Sequence, residues 1–289
     1  MRVRGNHGDG SCDSQKGKNH IHMNSVDLLS ENKIQKFLGD YSSVFNLEVF
    51  EEIDSTNTYL KERVGEDPGL LSWHTAIASS QTAGRGRMGR SFASPAGTGL
   101  YLSVLLRPNV SPEIATRITT AAGVSACRAI KKSTDAEPKI KWVNDIYVRD
   151  KKVCGILTEA SIDPATKKLS YVVMGIGFNV YCPEGGFPEE IKDIAGAITT
   201  EKKEDLRCRL AAEFLKEFYL LCSDLNKADF SDEYKRRCFI LGKDINVISG
   251  NSVRSAKALD LDPECRLIVK YYDDGSTEAI SSGEVSIRL

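Results

Sequence analysis

Residues 46–180 contain segments whose apolar residues recur with the short period of strands, and other segments whose apolar residues recur with the longer period of helices. Six short runs with strand-like composition are bounded by turn residues and are predicted as strands. They are His74–Ser79, Leu100–Leu106, Lys139–Val143, Ile146–Val148, Val153–Thr158 and Tyr171–Val180. Helical spacing of apolar residues predicts two longer helices, one from the capping sequence 111–113 to about Lys132 and one over about Lys203–Leu225.

The two ends of the chain differ from this central region. Residues 1–22 are rich in Gly, His and Lys and offer almost nothing to bury, so they are predicted to be a disordered leader. Residues 23–45 are predicted to contain a short amphipathic helix. Its apolar side is expected to comprise Leu28, Leu29, Ile34, Phe37 and Leu38.

Residues 237–289 have the pattern of a small all-β domain. Short alternating runs are separated by turns, one of them the sequence Asp-Asp-Gly at 273–275. The predicted strands are Ile245–Ile248, Arg254–Leu261, Arg266–Tyr272 and Thr277–Ile280. They predict a barrel of about 50 residues. The length of 289 residues suits two domains at roughly 150 residues each, and we place these at 46–236 and 237–289.

The charge and hydropathy patterns exclude several classes of protein. Lys and Arg number 39 against 40 Asp and Glu, and a net charge of −1 argues against a chain that coats nucleic acid by bulk charge. The longest nearly uncharged apolar stretch, Tyr171–Val180, is far shorter than the roughly 20 residues that span a bilayer. The first ten residues lack the apolar segment of a secretory signal. We therefore expect a cytoplasmic protein that does not enter membranes.

Cysteine and histidine usage narrows the chemistry further. The closest pair of the eight cysteines, Cys208 and Cys222, is 14 positions apart, so the sequence contains neither a CxxC zinc pair nor a redox motif. Reduced, buried thiols are expected instead. Three of the four histidines lie in the first 22 residues and leave His74 alone in the rest of the chain. This distribution argues against a Ser-His-Asp triad and a His-rich metal site.

The densest chemical signal is a glycine–arginine segment at residues 84–90, Gly-Arg-Gly-Arg-Met-Gly-Arg. No Asp, Glu or Lys occurs between Pro68 and Pro112, whereas Arg85, Arg87 and Arg90 all do. A flexible solvated loop and an RNA-binding segment are both compatible with this composition, although RNA-binding segments repeat and contain interleaved aromatic residues. A phosphate-binding loop is favoured, because glycines let the backbone approach an anion and arginines offer planar donors to it.

Four other segments are less specific when taken singly. Residues 54–57, Asp-Ser-Thr-Asn, are compatible with a helix cap. Residues 139–145 place Trp, Asn and Asp at a strand end, which suits either a pocket rim or a tight turn. The Lys pair at 151–152 opens an apolar strand and suits a solvated turn. Residues 175–179, Gly-Ile-Gly-Phe-Asn, lack the third glycine and the helix of a dinucleotide fingerprint.

Taken together and in order, these segments closely resemble those of the biotin–protein ligases. The resemblance covers about residues 48–289 and is carried by residues 54–57, 81–90, 141–145, 152–157 and 175–179. Two departures occur: Val143 stands where Pro is common, and Ser91-Phe92 stands where a basic residue and Trp are common. Family members that also repress transcription carry an N-terminal helix-turn-helix, for which this sequence shows no pattern. The resemblance therefore implies a ligase-only form without specific DNA binding.

The resemblance implies a fold and a reaction. The fold is α+β: a mixed-sheet catalytic domain like that of class II aminoacyl-tRNA synthetases, followed by a small SH3-like β-barrel. The reaction joins biotin and ATP into biotinyl-5′-AMP, with Mg²⁺ accompanying ATP. A lysine of a biotin carboxyl carrier protein or domain then takes the biotin. Positioning and charge neutralisation matter more than a general base in such chemistry, which suits a chain body with one histidine.

The same resemblance implies the site residues. Those expected to bind biotin are Ser55, Thr56, Asn57, Gln81, Arg85, Gly86, Arg87 and Lys152. Those expected to bind ATP or the adenylate are Arg87, Arg90, Phe92, Lys141, Asn144 and Asn179. Lys152 and Arg87 are the expected catalytic residues, and the metal ligands stay open. The apolar part of biotin is expected to lie against the strands that carry Gly155 and Gly177.

Two other functions remain as alternatives. A lipoate or octanoate ligase shares the fold, but its usual Arg-Arg-x-x-Gly-Gly-Gly segment and nearby His-Asp pair do not occur here. A non-enzymatic RNA-binding protein would use the glycine–arginine segment directly. It would need repeats of that segment or stacking aromatic residues, and the near-neutral charge does not favour it.

Overall fold

The structure, a computed structural model, describes residues 27–287 except 109, 113, 114, 224, 226–228 and 282. The leader predicted for residues 1–22 lies outside the described residues. The first sheet comprises β1 Asn46–Ile53, β2 His74–Gln81, β3 Gly99–Leu106, β4 Lys139–Lys141, β5 Asp145–Val148, β6 Lys151–Ile162 and β7 Leu169–Asn179. The second comprises β8 Asp244–Ser249, β9 Ser252–Leu261, β10 Leu267–Tyr271, β11 Thr277–Ile280 and β12 Glu284–Ile287.

The first sheet is mixed, which confirms the predicted α+β class. Its strand order is β1-β2-β3-β7-β6-β5-β4. Strands β1 and β2 pair in parallel, and every other neighbouring pair is antiparallel. The parallel pair requires a crossover connection, and the helix after β1 provides it. The second sheet is wholly antiparallel, with the order β11-β10-β9-β8-β12.

Five α-helices accompany the sheets within the described residues. They are α1 Glu31–Leu38, α2 Thr56–Glu66, α3 Ala115–Ser133, α4 Leu206–Cys222 and α5 Ser231–Arg237. Helix α4 packs against both α1 and α3, and these three helices cover one face of the first sheet, whereas α2 lies on the opposite face against β2, β3 and β7. No helix in the described ranges has the length and hydropathy needed to cross a bilayer.

The two faces of the sheet are separated by the alternation of side chains along each strand. In β3, Leu102 and Val104 join the large core under α3 and α4, whereas Leu105 points to the α2 side. The α2 side is a much smaller apolar cluster around Leu60 and Val64. Because α2 covers only part of this face, the remainder is left for a cleft.

The segment between β4 and β5 is held by two hydrogen bonds to distant parts of the chain. The indole Nε1 of Trp142 donates to the carbonyl of Cys265, 3.0 Å away, in the loop between β9 and β10. The buried hydroxyl of Tyr234 in α5 donates to the carbonyl of Val143 at 3.0 Å. The expectation of Trp142 as a rim residue is therefore incomplete, because its ring is buried and ties the first sheet to the C-terminal sheet.

Several predicted boundaries were wrong or missing. Strand β1, strand β12 and helix α5 were not predicted; β1 is an edge strand with few buried positions, and α5 buries only Tyr234. Leu28 does not belong to the apolar side of α1, because the helix begins at Glu31 and Leu28 is 61% exposed. The start predicted for α3 includes Glu113 and Ile114, which lie outside the described residues.

Replacing Tyr234 by Phe is expected to lower the free energy of unfolding by about 1–3 kcal/mol, because the buried carbonyl of Val143 loses its donor. Urea denaturation of the purified variant measures the change. Tyr147→Phe is the matched control: within the described residues the hydroxyl of Tyr147 makes no hydrogen bond, so its loss should cost less than about 0.5 kcal/mol. Equal losses in the two variants would contradict the role given to Tyr234.

Candidate active site

A cleft opens on the face of the first sheet that α2 leaves uncovered. Its walls are the start of α2, the end of β2, the glycine–arginine loop at residues 84–92, strands β6 and β7, and the first residues of β12. The cleft encloses about 950 Å³ of space, part of it open to solvent. Segments that are far apart in the chain thus meet at one place.

The floor of the cleft consists of backbone. Gly155 of β6 lies opposite Gly177 of β7 in the sheet register. The ring of Phe92 covers both glycines: a Cβ added to Gly177 would lie 2.6 Å from its Cε1, and one added to Gly155 would lie 3.0 Å from its Cε2. The missing side chains therefore provide a flat surface on which a ring can lie.

One end of the cleft carries uncharged hydrogen-bonding groups. The backbone N–H and hydroxyl of Thr56 both donate to Oε1 of Gln81, at 2.9 and 3.1 Å. The Gln81 amide in turn donates to the hydroxyl of Ser94 at 3.0 Å. Ser55 caps α2 by accepting from the N–H of Thr58 at 3.4 Å. Ser55 and Gln81 each keep a hydrogen that these bonds do not use.

Asn57 lies at this end, but its hydrogens are used within the protein. Its Nδ2 donates to Glu159 at 2.9 Å and to the carbonyl of Leu157 at 3.4 Å, while its Oδ1 accepts from Ser103 at 2.6 Å. The side chain lies directly on Gly175, where an added Cβ would be 2.0 Å from Oδ1. Asn57 thus shapes the pocket and keeps at most an acceptor for a ligand.

The glycine–arginine loop forms a small antiparallel bridge. The N–H of Gly86 donates to the carbonyl of Arg90 at 2.7 Å, and the N–H of Phe92 donates to the carbonyl of Gly84 at 2.9 Å. Arg85 and Ser91 therefore form the pair without mutual hydrogen bonds. The N–H and C=O of Arg85 consequently point away from Ser91, and one residue presents a donor and an acceptor side by side.

The other end of the cleft is cationic. Nζ of Lys152 lies 2.7 Å from Oδ1 of Asp145. Lys141 makes no ion pair within the part of the chain that the structure describes, and burial lowers the pKa of its ammonium. Asp145 opposes that shift, whereas Lys152 adds to it. Asp145 is thus paired with Lys152 and acts on Lys141 only through its charge.

The two later arginines of the loop contact the opposite side of the cleft. Arg87 donates to Oδ1 of Asn144 at 3.0 Å and to the carbonyl of Gly283 at 2.9 Å. Both terminal nitrogens of Arg90 pair with the carboxylate of Glu284, the first residue of β12. The loop therefore bridges the two sheets of the molecule.

Asn179 is the one predicted site residue that does not line this cleft. It ends β7 opposite Gly99, and its carbonyl accepts from the N–H of Ile198 at 2.9 Å. Its contact with adenine stays a prediction. All the other predicted site residues line the cleft.

The sequence of the chain matches two protein families. Residues 49–179 match the Biotin/lipoate A/B protein ligase family, and residues 240–288 match the Biotin protein ligase C terminal domain. The bifunctional ligase/repressor BirA of Escherichia coli is 30% identical over 277 residues, which cover 94% of this chain and 82% of that protein. The chain belongs to the biotin protein ligase family.

Two further comparisons describe how far the likeness extends. The bifunctional ligase/repressor BirA of Bacillus subtilis is also 30% identical, and the chain matches 60% of that protein's length. The biotin protein ligase from Aquifex aeolicus, solved in complex with biotin and ATP, has 27% identity and a TM-score of 0.66, with 84% of this chain and 98% of that chain covered. The fold of biotin protein ligases therefore extends over most of this chain.

Sequence reasoning assigned no site role to Glu159 and Glu284, and it named Asp145 only as a polar residue of a possible pocket rim. Each holds a cation at the cleft, and two of them stood inside or beside segments already singled out. A cluster of cations in a near-neutral chain was the available signal, because such a cluster needs nearby counter-charges. No group of three acidic, His or Cys side chains suited to a metal occurs among the described residues.

Replacing Gly175 by Ala is expected to lower the free energy of unfolding by about 1–3 kcal/mol, because the new methyl group would collide with the Asn57 amide. Thermal or urea unfolding measures the loss. Gly65→Ala, at an open position near the end of α2, should leave stability unchanged or raise it by up to about 1 kcal/mol. A Gly175 variant as stable as the wild type would show that Asn57 has room to move.

Proposed function

We propose that this chain is an ATP-dependent biotin–protein ligase, which forms biotinyl-5′-AMP and transfers biotin to a lysine of a biotin carboxyl carrier protein or domain. One observation carries the proposal: the cleft joins an uncharged hydrogen-bonding end to a cationic end across a glycine floor. Biotin has a urea at one end, a carboxylate at the other and an apolar body between. Its adenylate adds a phosphate where the cations lie.

The uncharged end suits the urea. A buried urea needs partners for its carbonyl and both N–H groups, since an unpaired polar group is costly to bury. Ser55 and Gln81 have spare hydrogens, and the backbone of Arg85 offers a donor beside an acceptor. Thr56 fixes the Gln81 amide in place. The apolar rings and chain of biotin would then lie along Gly155 and Gly177 once the Phe92 ring moves aside.

The cationic end suits phosphoryl chemistry. A carboxylate oxygen of biotin forms a bond to the α-phosphorus, and the bond from that phosphorus to the oxygen bridging to the β-phosphate breaks. Lys152 and Arg87 would stabilise the charge that develops on the α-phosphate. Lys141 makes no ion pair among the residues that the structure describes, so it would bind phosphate without giving up a carboxylate partner. This step thus depends on fixed positive charges and not on a general base.

Mg²⁺ fits this site only as a companion of ATP. The cleft wall offers the carboxylates of Asp145 and Glu284, and Mg²⁺ commonly uses one or two carboxylates together with substrate phosphates. We place the biotin ligation reaction in the cytoplasm.

The alternatives fit less well. The dithiolane ring of lipoate has no donors or acceptors that would match the polar groups of Ser55, Gln81 and Arg85, so these would stay unpaired in a lipoate complex. For RNA binding the loop arginines would have to leave their partners within the protein. Arg87 donates to Asn144 and Gly283, and Arg90, although its side chain is 64% exposed, is paired with Glu284.

The proposal is tested by supplying radiolabelled biotin, MgATP and a biotin carboxyl carrier domain. Covalent label on the carrier domain, lost when ATP is omitted, is the expected result. Parallel reactions with labelled octanoate or lipoate and their carrier domain should transfer nothing, and a filter assay with RNA should retain no complex. Transfer of lipoate without transfer of biotin would overturn the assignment.

Lys152→Ala is expected to slow biotinyl-5′-AMP formation about 100-fold or more, while biotin affinity changes only a few-fold, because the ammonium acts mainly on charge that develops at the α-phosphate. Single-turnover formation of labelled adenylate and calorimetric titration of biotin measure the two quantities. Lys152→Arg should not restore the rate, because a planar fork replaces a compact charge.

Lys151→Ala is the matched control for this prediction. The ammonium of Lys151 donates to the carbonyl of Asp193 at 2.6 Å, and Lys151 lies outside the cleft lining. Its removal should leave the rate within about twofold of wild type. Equal losses of biotin affinity and rate in the Lys152 variant would mean that Lys152 is only a binding contact.

A further inference from the structure

Glu159 joins three elements that surround the uncharged end of the cleft. It lies on β6, two positions beyond Leu157, on the face that carries the cleft. Its Oε2 accepts from Nδ2 of Asn57 at 2.9 Å. Its Oε1 accepts from Nζ of Lys61 at 2.9 Å and lies 3.3 Å from Nη2 of Arg85. The carboxylate of Glu159 thus links β6 to helix α2 and to the glycine–arginine loop.

The partners of Glu159 fall into two groups. Asn57 and Lys61 are four residues apart on α2, so one face of that helix meets the carboxylate. Arg85 lies near the start of the loop, and its guanidinium adds a link to β6 beside the backbone hydrogen bonds that Thr82 and Ala83 donate to the carbonyls of Ile53 and Asp54. Arg90 ties the other end to Glu284 of the second sheet. Each end of the loop therefore has its own carboxylate.

The environment of Glu159 favours its charged form. Its side chain is 22% exposed. Burial by itself raises the pKa of the carboxyl, but the hydrogen bonds from Asn57 and Lys61 and the nearby cations outweigh burial and lower the pKa below its ordinary value. The carboxylate of Glu159 is shielded, whereas the Arg85 side chain 3.3 Å away is 45% exposed, so solvent screens part of the attraction between them.

We propose that Glu159 is a positioning residue for biotin: it anchors the start of the glycine–arginine loop through Arg85 and orients the Asn57 amide. The proposal rests on the proposed function. Under it the backbone N–H and C=O of Arg85 meet the urea, so an error in the placement of Arg85 weakens biotin binding. The cationic end of the cleft has its own contacts at Asp145, Asn144 and Glu284, so ATP binding does not depend on Glu159.

The first test is steady-state kinetics of Glu159→Gln. Gln is nearly isosteric and still accepts from Asn57, but it lacks the charge that holds Arg85. We expect the KM for biotin to rise about tenfold, with kcat and the KM for ATP within about twofold of wild type. Lys61→Gln is the matched control, because it removes a cation from the same carboxylate without touching the loop. It should change the KM for biotin by less than about twofold.

A double-mutant cycle with Arg85→Gln shows whether the two residues act as a pair. The double variant should be no more than about twofold worse than the more damaged single variant, because each single change already breaks the same contact. Effects that multiply independently would overturn the proposal. So would a Glu159 variant in which kcat or the KM for ATP changes as much as the KM for biotin.

The second test does not depend on ligase activity. Trypsin is added to the full-length proteins without biotin or ATP, and cleavage after Arg87 and Arg90 is followed by mass spectrometry. Glu159→Gln should be cut at least about fivefold faster than wild type, and Lys61→Gln at the wild-type rate. Unchanged cleavage in Glu159→Gln would overturn the anchoring role. If the wild-type protein does not ligate biotin, the proposed function fails, and the cleavage rates alone decide whether Glu159 anchors the loop.

Discussion

The positive charges gathered around one cleft are the constraint on which the site depends. Three loop arginines and two lysines line the same space in a chain whose net charge is only −1. Like charges that line one cleft repel one another, and burial raises the free-energy cost of each charge. Three carboxylates on different strands hold three of these cations, and the amide oxygen of Asn144 accepts from a fourth, Arg87. An anionic ligand must therefore displace these side chains as the partners of the cations. Ligands whose negative charges lie at the positions of the displaced carboxylates are favoured.

The glycine floor sets the second limit on what can bind. Gly155 and Gly177 leave a flat stretch of backbone, and the Phe92 ring lies on it. A ligand that reaches from the uncharged end to the cationic end must pass over this floor, so the ring has to shift. The loop that carries Phe92 also carries Arg85, Arg87 and Arg90. Movement of the ring is thus coupled to the contacts that hold the cations, and covering the ligand again would shield a reactive mixed anhydride from water.

Much of this arrangement follows from local sequence, and the rest depends on the fold. Strands β2, β3 and β7 are buried along most of their length and stand out as short runs between turn residues, so they were predicted close to their observed bounds. The edge strand β1 and the charged helix α5 bury too little to leave such a pattern. The partnership of Arg90 with Glu284 joins residues 194 positions apart, and that of Asn57 with Glu159 spans 102. No periodicity encodes such pairs, because they exist only after the sheets are assembled.

The most direct measurement is a crystal structure of the protein with a non-hydrolysable analogue of biotinyl-5′-AMP that keeps the phosphate. The account predicts the urea against Ser55, Gln81 and the Arg85 backbone, and the Phe92 ring displaced from the glycine floor. Arg87 and Lys152 should contact the phosphate in place of Asn144 and Asp145. An analogue bound elsewhere, with Phe92 still on Gly155 and Gly177 and the cation pairs intact, would contradict the account.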